Sequence, residues 1–98
     1  MRVFVTRRIA ESALNRLAAS VEVDVWDGAL PPAVEVIRAR VRGCDGLLCL
    51  LTERIDAAVL EAAPSLKVVS NMAVGVDNVD VAACTARRIP VGHTPGAA

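Results

Sequence analysis

Val3-Phe4-Val5 opens the chain as a short apolar run between Arg2 and Thr6, which reads as a strand. After the turn at Thr6-Arg7-Arg8, residues Ile9, Ala13, Leu14, Leu17 and Ala18 recur at helical spacing and predict an amphipathic helix. Val21, Val23 and Val25 then alternate with Glu22, Asp24 and Trp26. Such alternation leaves one face wet and places this second strand at the edge of a sheet. Asp27-Gly28 and Pro31-Pro32 mark a loop. Proline suits the first turn of a helix, and Val34, Ile37 and Val41 lay an apolar stripe along the helix that follows.

Gly43-Cys44-Asp45-Gly46 closes that helix, and Leu47-Leu48-Cys49-Leu50-Leu51 follows without a polar residue. A strand apolar on both faces belongs in the middle of a parallel sheet, covered by helices on both sides. Asp56 is placed to cap a short helix carrying Val59, Leu60 and Ala63, which Pro64 ends. Leu66 to Ser70 reads as a fourth strand. Asp80 caps a last helix, with Val79 and Cys84 spaced for a hydrophobic staple and Arg87-Arg88 in the last turn, where the helix dipole favours cations. Ile89-Pro90-Val91-Gly92 is a short fifth strand.

Strands alternating with helices of this length imply a parallel sheet with right-handed crossovers. The edge-like second strand and the apolar third fit the order 2-1-3-4-5. The expected fold is an α/β, flavodoxin-like three-layer sandwich. No internal repeat or low-complexity segment interrupts it, and His93 to Ala98 carry no recognisable element.

Composition narrows the partners. The 98 residues suit one small domain; 54% are hydrophobic, with no Tyr, one Phe and one Trp, so the core is aliphatic. Lys plus Arg and Asp plus Glu both total 11, and a net charge of zero argues against a nucleic-acid surface. No apolar run approaches the roughly 20 residues that a membrane-spanning helix needs. The chain starts directly on a strand, so no cleavable signal is expected. Cys44, Cys49 and Cys84 form no C-x-x-C pair and read as small buried residues of a cytoplasmic protein rather than a zinc site.

The chemistry concentrates in Ser70 to Asp80, between the fourth strand and the last helix. Its only glycine, Gly75, lets the backbone turn where a side chain would obstruct, or approach a ligand closely. Successive backbone N–H groups in such a loop form a concave anion site, and ligands of open parallel sheets sit outside the carboxyl ends of the strands. The loop is therefore read as the receiver of a small acid's carboxylate. Plainer roles compete. Gly75 also serves a simple strand-to-helix turn. Asp77 and Asp80 could form an acid/base pair, but capping and loop hydrogen bonds explain them more simply. His93, the sole histidine, is assigned a structural or exposed role. Arg7 and Arg8 share the strands' carboxyl edge with the loop and read first as a solvated turn. Arg38, Arg40 and Arg42 read as the wet side of a helix.

Three stretches together resemble the N-terminal part of D-2-hydroxyacid dehydrogenases, nearest the glyoxylate/hydroxypyruvate reductase branch. They are Val3 to Ile9, Asp45 to Thr52, and Leu66 to Asp80; Val74 to Asp80 and the later Thr94-Pro95-Gly96 are the most specific matches. The resemblance implies a substrate domain, here residues 1–92, and a connection beginning at 93–98 toward a separate Rossmann domain for NAD or NADP. It implies hydride transfer to a small 2-keto acid such as glyoxylate or hydroxypyruvate. Backbone N–H groups of Val74 and Gly75 would hold the substrate carboxylate, with Leu50, Leu51 and Met72 lining the pocket. The family's catalytic arginine, glutamate and histidine lie downstream, so no catalytic residue is assigned to this chain. The six glycines contain no G-x-G-x-x-G, so no cofactor-binding residue is assigned either. The family's substrate domain is completed by a segment near the C-terminus, so part of this core is expected to lie open, and the 98 residues alone to be inactive. The alternative is a stand-alone flavodoxin-like interaction module without catalysis, dimerising through its uncompleted face. A response-regulator receiver, one such module, would need acidic residues where Thr6-Arg7-Arg8 stand.

Overall fold

Residues 1–7, 11–50, 52–72 and 75–93 are described by the computed structural model. Among them the strands are β1 (Arg2–Val5), β2 (Glu22–Val25), β3 (Gly46–Cys49), β4 (Val68–Asn71) and β5 (Val91–His93). The helices are α1 (Glu11–Ala18), α2 (Val34–Arg40), α3 (Ala57–Glu61) and α4 (Val81–Ala86), with a 3-10 turn at Val41–Gly43. Every strand pairing is parallel and the order is β2-β1-β3-β4-β5, as the alternation of elements implied.

The two faces of the sheet are covered unequally. Phe4, Leu47, Cys49 and Val69 join Ile37 of α2, Val59 and Leu60 of α3 and Cys84 of α4 in the larger core. Burying an aliphatic or aromatic side chain of this size contributes about 1.5–3 kcal/mol, so this face carries most of the fold's stability. On the other face Val3 and Val5 pack on Leu14 of α1, and that cluster reaches no further across the sheet than Leu48. Beyond it the same face shows Val68 and Ser70 half-buried and Gly92 exposed.

Several boundaries shift from the sequence reading, each for a local reason. β3 stops at Cys49 because Leu50 turns its N–H to the Glu53 carboxylate (3.0 Å) instead of to a neighbouring strand. Pro31 and Pro32 lie outside α2 in the loop before Ala33, its N-cap. Trp26 is not on a wet face: the Arg40 guanidinium lies 5.8 Å from its ring and 5.7 Å from the Phe4 ring, and pairs with Asp24 at 2.8 Å. A residue from α2 thus roofs the polar side of β2.

The capping expectations hold at the helix starts. Asp56 Oδ1 accepts from the Val59 N–H (3.1 Å) and Asp80 Oδ1 from the Ala83 N–H (3.0 Å), each interaction worth about 1 kcal/mol. The end of α4 departs from expectation. Arg87 and Arg88 lie past its last turn, at the C-cap and one residue beyond. Arg88 takes a left-handed conformation (φ 56) while Arg88 N–H bonds Thr85 O (2.9 Å) and Ile89 N–H bonds Cys84 O (2.8 Å). This is a Schellman ending with arginine where glycine is usual. Arg87 serves a different helix: its guanidinium donates to Leu60 O and, at 2.9 Å, to Ala63 O, closing the C-terminus of α3.

Candidate functional site

The carboxyl ends of β1, β3 and β4 lead into Thr6, into Leu50 to Glu53, and into Met72 to Asn78. Parallel strands aim their chain exits at one edge, so three loops far apart in sequence meet there. Two of them are zipped together by a single parallel bridge between Ile55 and Val79. Ile55 N–H bonds Asn78 O and Asp80 N–H bonds Ile55 O, both at 2.8 Å.

Beneath this edge lie the only buried polar or charged residues among those described: Thr6 (0% exposed), Glu53 (2%) and Asn71 (0%). Asn71 and Asn78 exchange side-chain hydrogen bonds, and the Asn71 amide also donates to Gly75 O at 2.9 Å. The Asn78 amide donates to Leu50 O (3.0 Å) and Glu53 O (2.7 Å). The Glu53 carboxylate accepts from the hydroxyls of Thr6 and Thr52 and from the Leu50 N–H. Arg7 reaches across to Thr52 Oγ1 at 3.3 Å, so the turn after β1 is tied to the β3 loop rather than merely solvated.

This polar floor also acts on Cys49. Its thiol donates to Asn71 Oδ1 at 3.4 Å. Burial first, then the Glu53 charge and Cys84, push that thiol from the ordinary 9.0 up to about 12. Burial likewise raises Cys44 and Cys84. All three are buried and protonated at neutral pH, which fits the structural role read from sequence.

Of the residues proposed for an acid site, three are described. Leu50 is half-buried just past β3; Met72, 39% exposed, follows β4 with its N–H on Cys49 O (2.7 Å); Gly75 is exposed on the same rim. Leu51 and Val74 lie outside the described residues. Contrary to the sequence expectation, Gly75 is not needed to keep a side chain out of the turn. A Cβ built there would meet nothing within 4 Å, and its φ is not in the left-handed region, so no obstruction within the protein calls for glycine. Asp80 is a helix cap, and Asp77 is an exposed turn residue that joins it in lining a cavity of about 140 Å³ beside the Ile55–Val79 bridge. A larger groove of about 430 Å³ runs between α2 and α3 and mixes Arg38 and Arg42 with Glu35 and Glu61.

The model of the D-isomer specific 2-hydroxyacid dehydrogenase catalytic domain matches residues 3–98. The chain belongs to the D-isomer specific 2-hydroxyacid dehydrogenase family. Within that family it is 50% identical over 95 residues to a glyoxylate reductase of Korarchaeum cryptofilum, covering 97% of this chain and 29% of the relative. The TT0316 protein of Thermus thermophilus superposes with a TM-score of 0.89 at 45% identity, over 98% of this chain and 31% of that one. An NADPH-dependent glyoxylate/hydroxypyruvate reductase of Sinorhizobium meliloti, solved with NADP and malonate, superposes at 0.74 with 31% identity, over 96% of this chain and 28% of its own. The chain thus spans under a third of the length of these relatives.

Glu53 and its partners escaped the sequence reading. A charged residue just after an all-apolar strand was the available signal. Nothing in the sequence tells that Thr6, 47 positions away, would donate to it.

Proposed function

We propose that this chain is the N-terminal part of the substrate domain of an NAD(P)-dependent oxidoreductase that reduces a small 2-keto acid, of the glyoxylate or hydroxypyruvate type, to its 2-hydroxy acid. In this reading residues 1–92 form the substrate half, and 93–98 begin the connection to a cofactor domain. The observation that carries it is Gly75: exposed on the carboxyl rim, it lacks a side chain that the fold would accept. Glycine there leaves room for a ligand's close approach. Backbone N–H groups of Val74 and Gly75 take the substrate carboxylate, while Leu50, Leu51 and Met72 wall the apolar side.

A nicotinamide cofactor, when bound by the other domain, supplies the hydride. Nothing in the glycine pattern of this chain fits a pyrophosphate cradle, so its own residues bind and orient the acid and exclude water. The 98 residues alone carry no activity. The uncovered face over β4 and β5 suits a returning segment of the longer chain. No helix among the described residues is long and apolar enough to cross a membrane, and a cytoplasmic setting accords with three unoxidised cysteines.

The test uses the natural gene product at the length of its relatives, with glyoxylate or hydroxypyruvate and NADH or NADPH. Consumption of reduced cofactor is expected, and none with the 98-residue chain. Titrating that chain with glyoxylate should shift the Val74 and Gly75 amides at concentrations on the order of 10 mM, since one or two contacts supply only a few kcal/mol. A longer protein that turns over no 2-keto acid with either cofactor defeats the reading.

A further inference from the structure

Glu53 is the only charged residue among those described that is buried, at 2% exposure. Burying a carboxylate costs several kcal/mol unless donors replace its water. Here the replacements are neutral: the Leu50 N–H at 3.0 Å and the Thr6 hydroxyl on Oε1, and the Thr52 hydroxyl on Oε2. Among the described residues no Lys or Arg forms an ion pair with it; Arg7 stops one hydroxyl away, at Thr52 Oγ1.

The donors are as informative as the acceptor. Thr6 leaves β1, Leu50 and Thr52 leave β3, and the carbonyl of Glu53 itself takes a hydrogen bond from Asn78 in the loop after β4 (2.7 Å). One residue therefore holds three strand exits at fixed heights. A purely structural tether could sit anywhere along the sheet. This one grips the main chain of Leu50, the first residue past β3, and reaches through Asn78 and Asn71 to the carbonyl of Gly75.

We infer that Glu53 is a positioning residue of the acid site: its carboxylate fixes Leu50 and the exits of β1 and β3 against the loop that its main-chain carbonyl joins through Asn78, and so sets how a small carboxylate is received. It touches no substrate itself. The inference rests on the function proposed above and names a residue that this function does not require. Glutamine at this position keeps an acceptor for Leu50 and Thr6, whereas alanine frees the Leu50 N–H and the hydroxyls of Thr6 and Thr52 and leaves only the main-chain carbonyl bonded to Asn78.

The experiment is steady-state kinetics of the longer natural enzyme as the parent, E53A and E53Q, with glyoxylate as substrate, cofactor affinity as a control for the other domain, and thermal unfolding as a control for folding. E53A is expected to raise the KM for glyoxylate about tenfold with kcat within about threefold, and E53Q to return KM to within about threefold of the parent. Cofactor affinity should not move in either. A folded E53A with KM within about twofold of the parent overturns the inference, as does an E53Q as impaired as E53A. Should E53A fail to fold, T6V, which removes one donor, decides the matter: KM should rise about threefold, and an unchanged KM refutes the role. A parent without turnover refutes the proposed function itself; an active parent with an indifferent E53A refutes only this inference.

Discussion

Asn71 and Asn78 are paired amide to amide: Asn71 Nδ2 stands 2.8 Å from Asn78 Oδ1, and Asn78 Nδ2 stands 3.2 Å from Asn71 Oδ1. One ends β4 and the other precedes α4, so the pair clasps both ends of the loop that carries Gly75. Asn78 also serves two main-chain carbonyls of the neighbouring loop.

Replacing Asn78 by alanine strips the donor from Leu50 O, Glu53 O and the Asn71 amide together. Unsatisfied buried polar groups cost about 1–3 kcal/mol each, and relaxation onto water recovers part, so a net loss of about 2 kcal/mol is expected. Urea unfolding checks it, as a lowered midpoint with an unchanged slope.

Gly75→Ala separates fold from site. A Cβ there meets no atom within 4 Å and the backbone is outside the left-handed region, so the variant should be as stable as the parent or gain about 0.4–1 kcal/mol from a less flexible unfolded chain. In the reductase proposed above, the same methyl group should raise the KM for glyoxylate about tenfold by displacing the carboxylate. A marked fall in melting temperature would instead make Gly75 a requirement of the turn.

Arg88→Gly should stabilise. Arg88 holds φ 56 at the Schellman position, a conformation that costs an L-residue roughly 1–2 kcal/mol and glycine almost nothing. Glycine also gives up more freedom on folding, so a net gain of about 0.5–1 kcal/mol is expected, seen as a rise of a few degrees in thermal unfolding. An unchanged or lowered melting temperature would show that the arginine side chain holds the turn by contacts that offset its backbone.

The alkaline limb of stability should carry the signature of Cys49. Burial, with the Glu53 charge and Cys84 behind it, raises this thiol from 9.0 to about 12, so the folded chain holds the proton more tightly than the unfolded one. Its contribution is whole below pH 9 and is lost as pH rises from 9 through about 12. Urea midpoints measured from about pH 8 to about pH 11 should fall, and C49A should flatten that slope despite a lower starting stability. A native chain whose thiols react with a thiol reagent at neutral pH as fast as the denatured chain would contradict the burial on which this depends.

The order and type of the elements, the sheet order 2-1-3-4-5 and the capping roles of Asp56 and Asp80 could all be read along the chain. Those features are written in local periodicity and in residues that act within four positions of themselves. The family too was legible, through stretches such as Val74 to Asp80. Folding alone brought Thr6, Glu53, Asn71 and Asn78 into one buried polar floor, set Arg87 to close α3 rather than α4, and left open space around Gly75. The polar floor and the Arg87 contact join groups on different elements. Their partners are chosen by how parallel strands bring their carboxyl ends to one edge, which no spacing along the chain records.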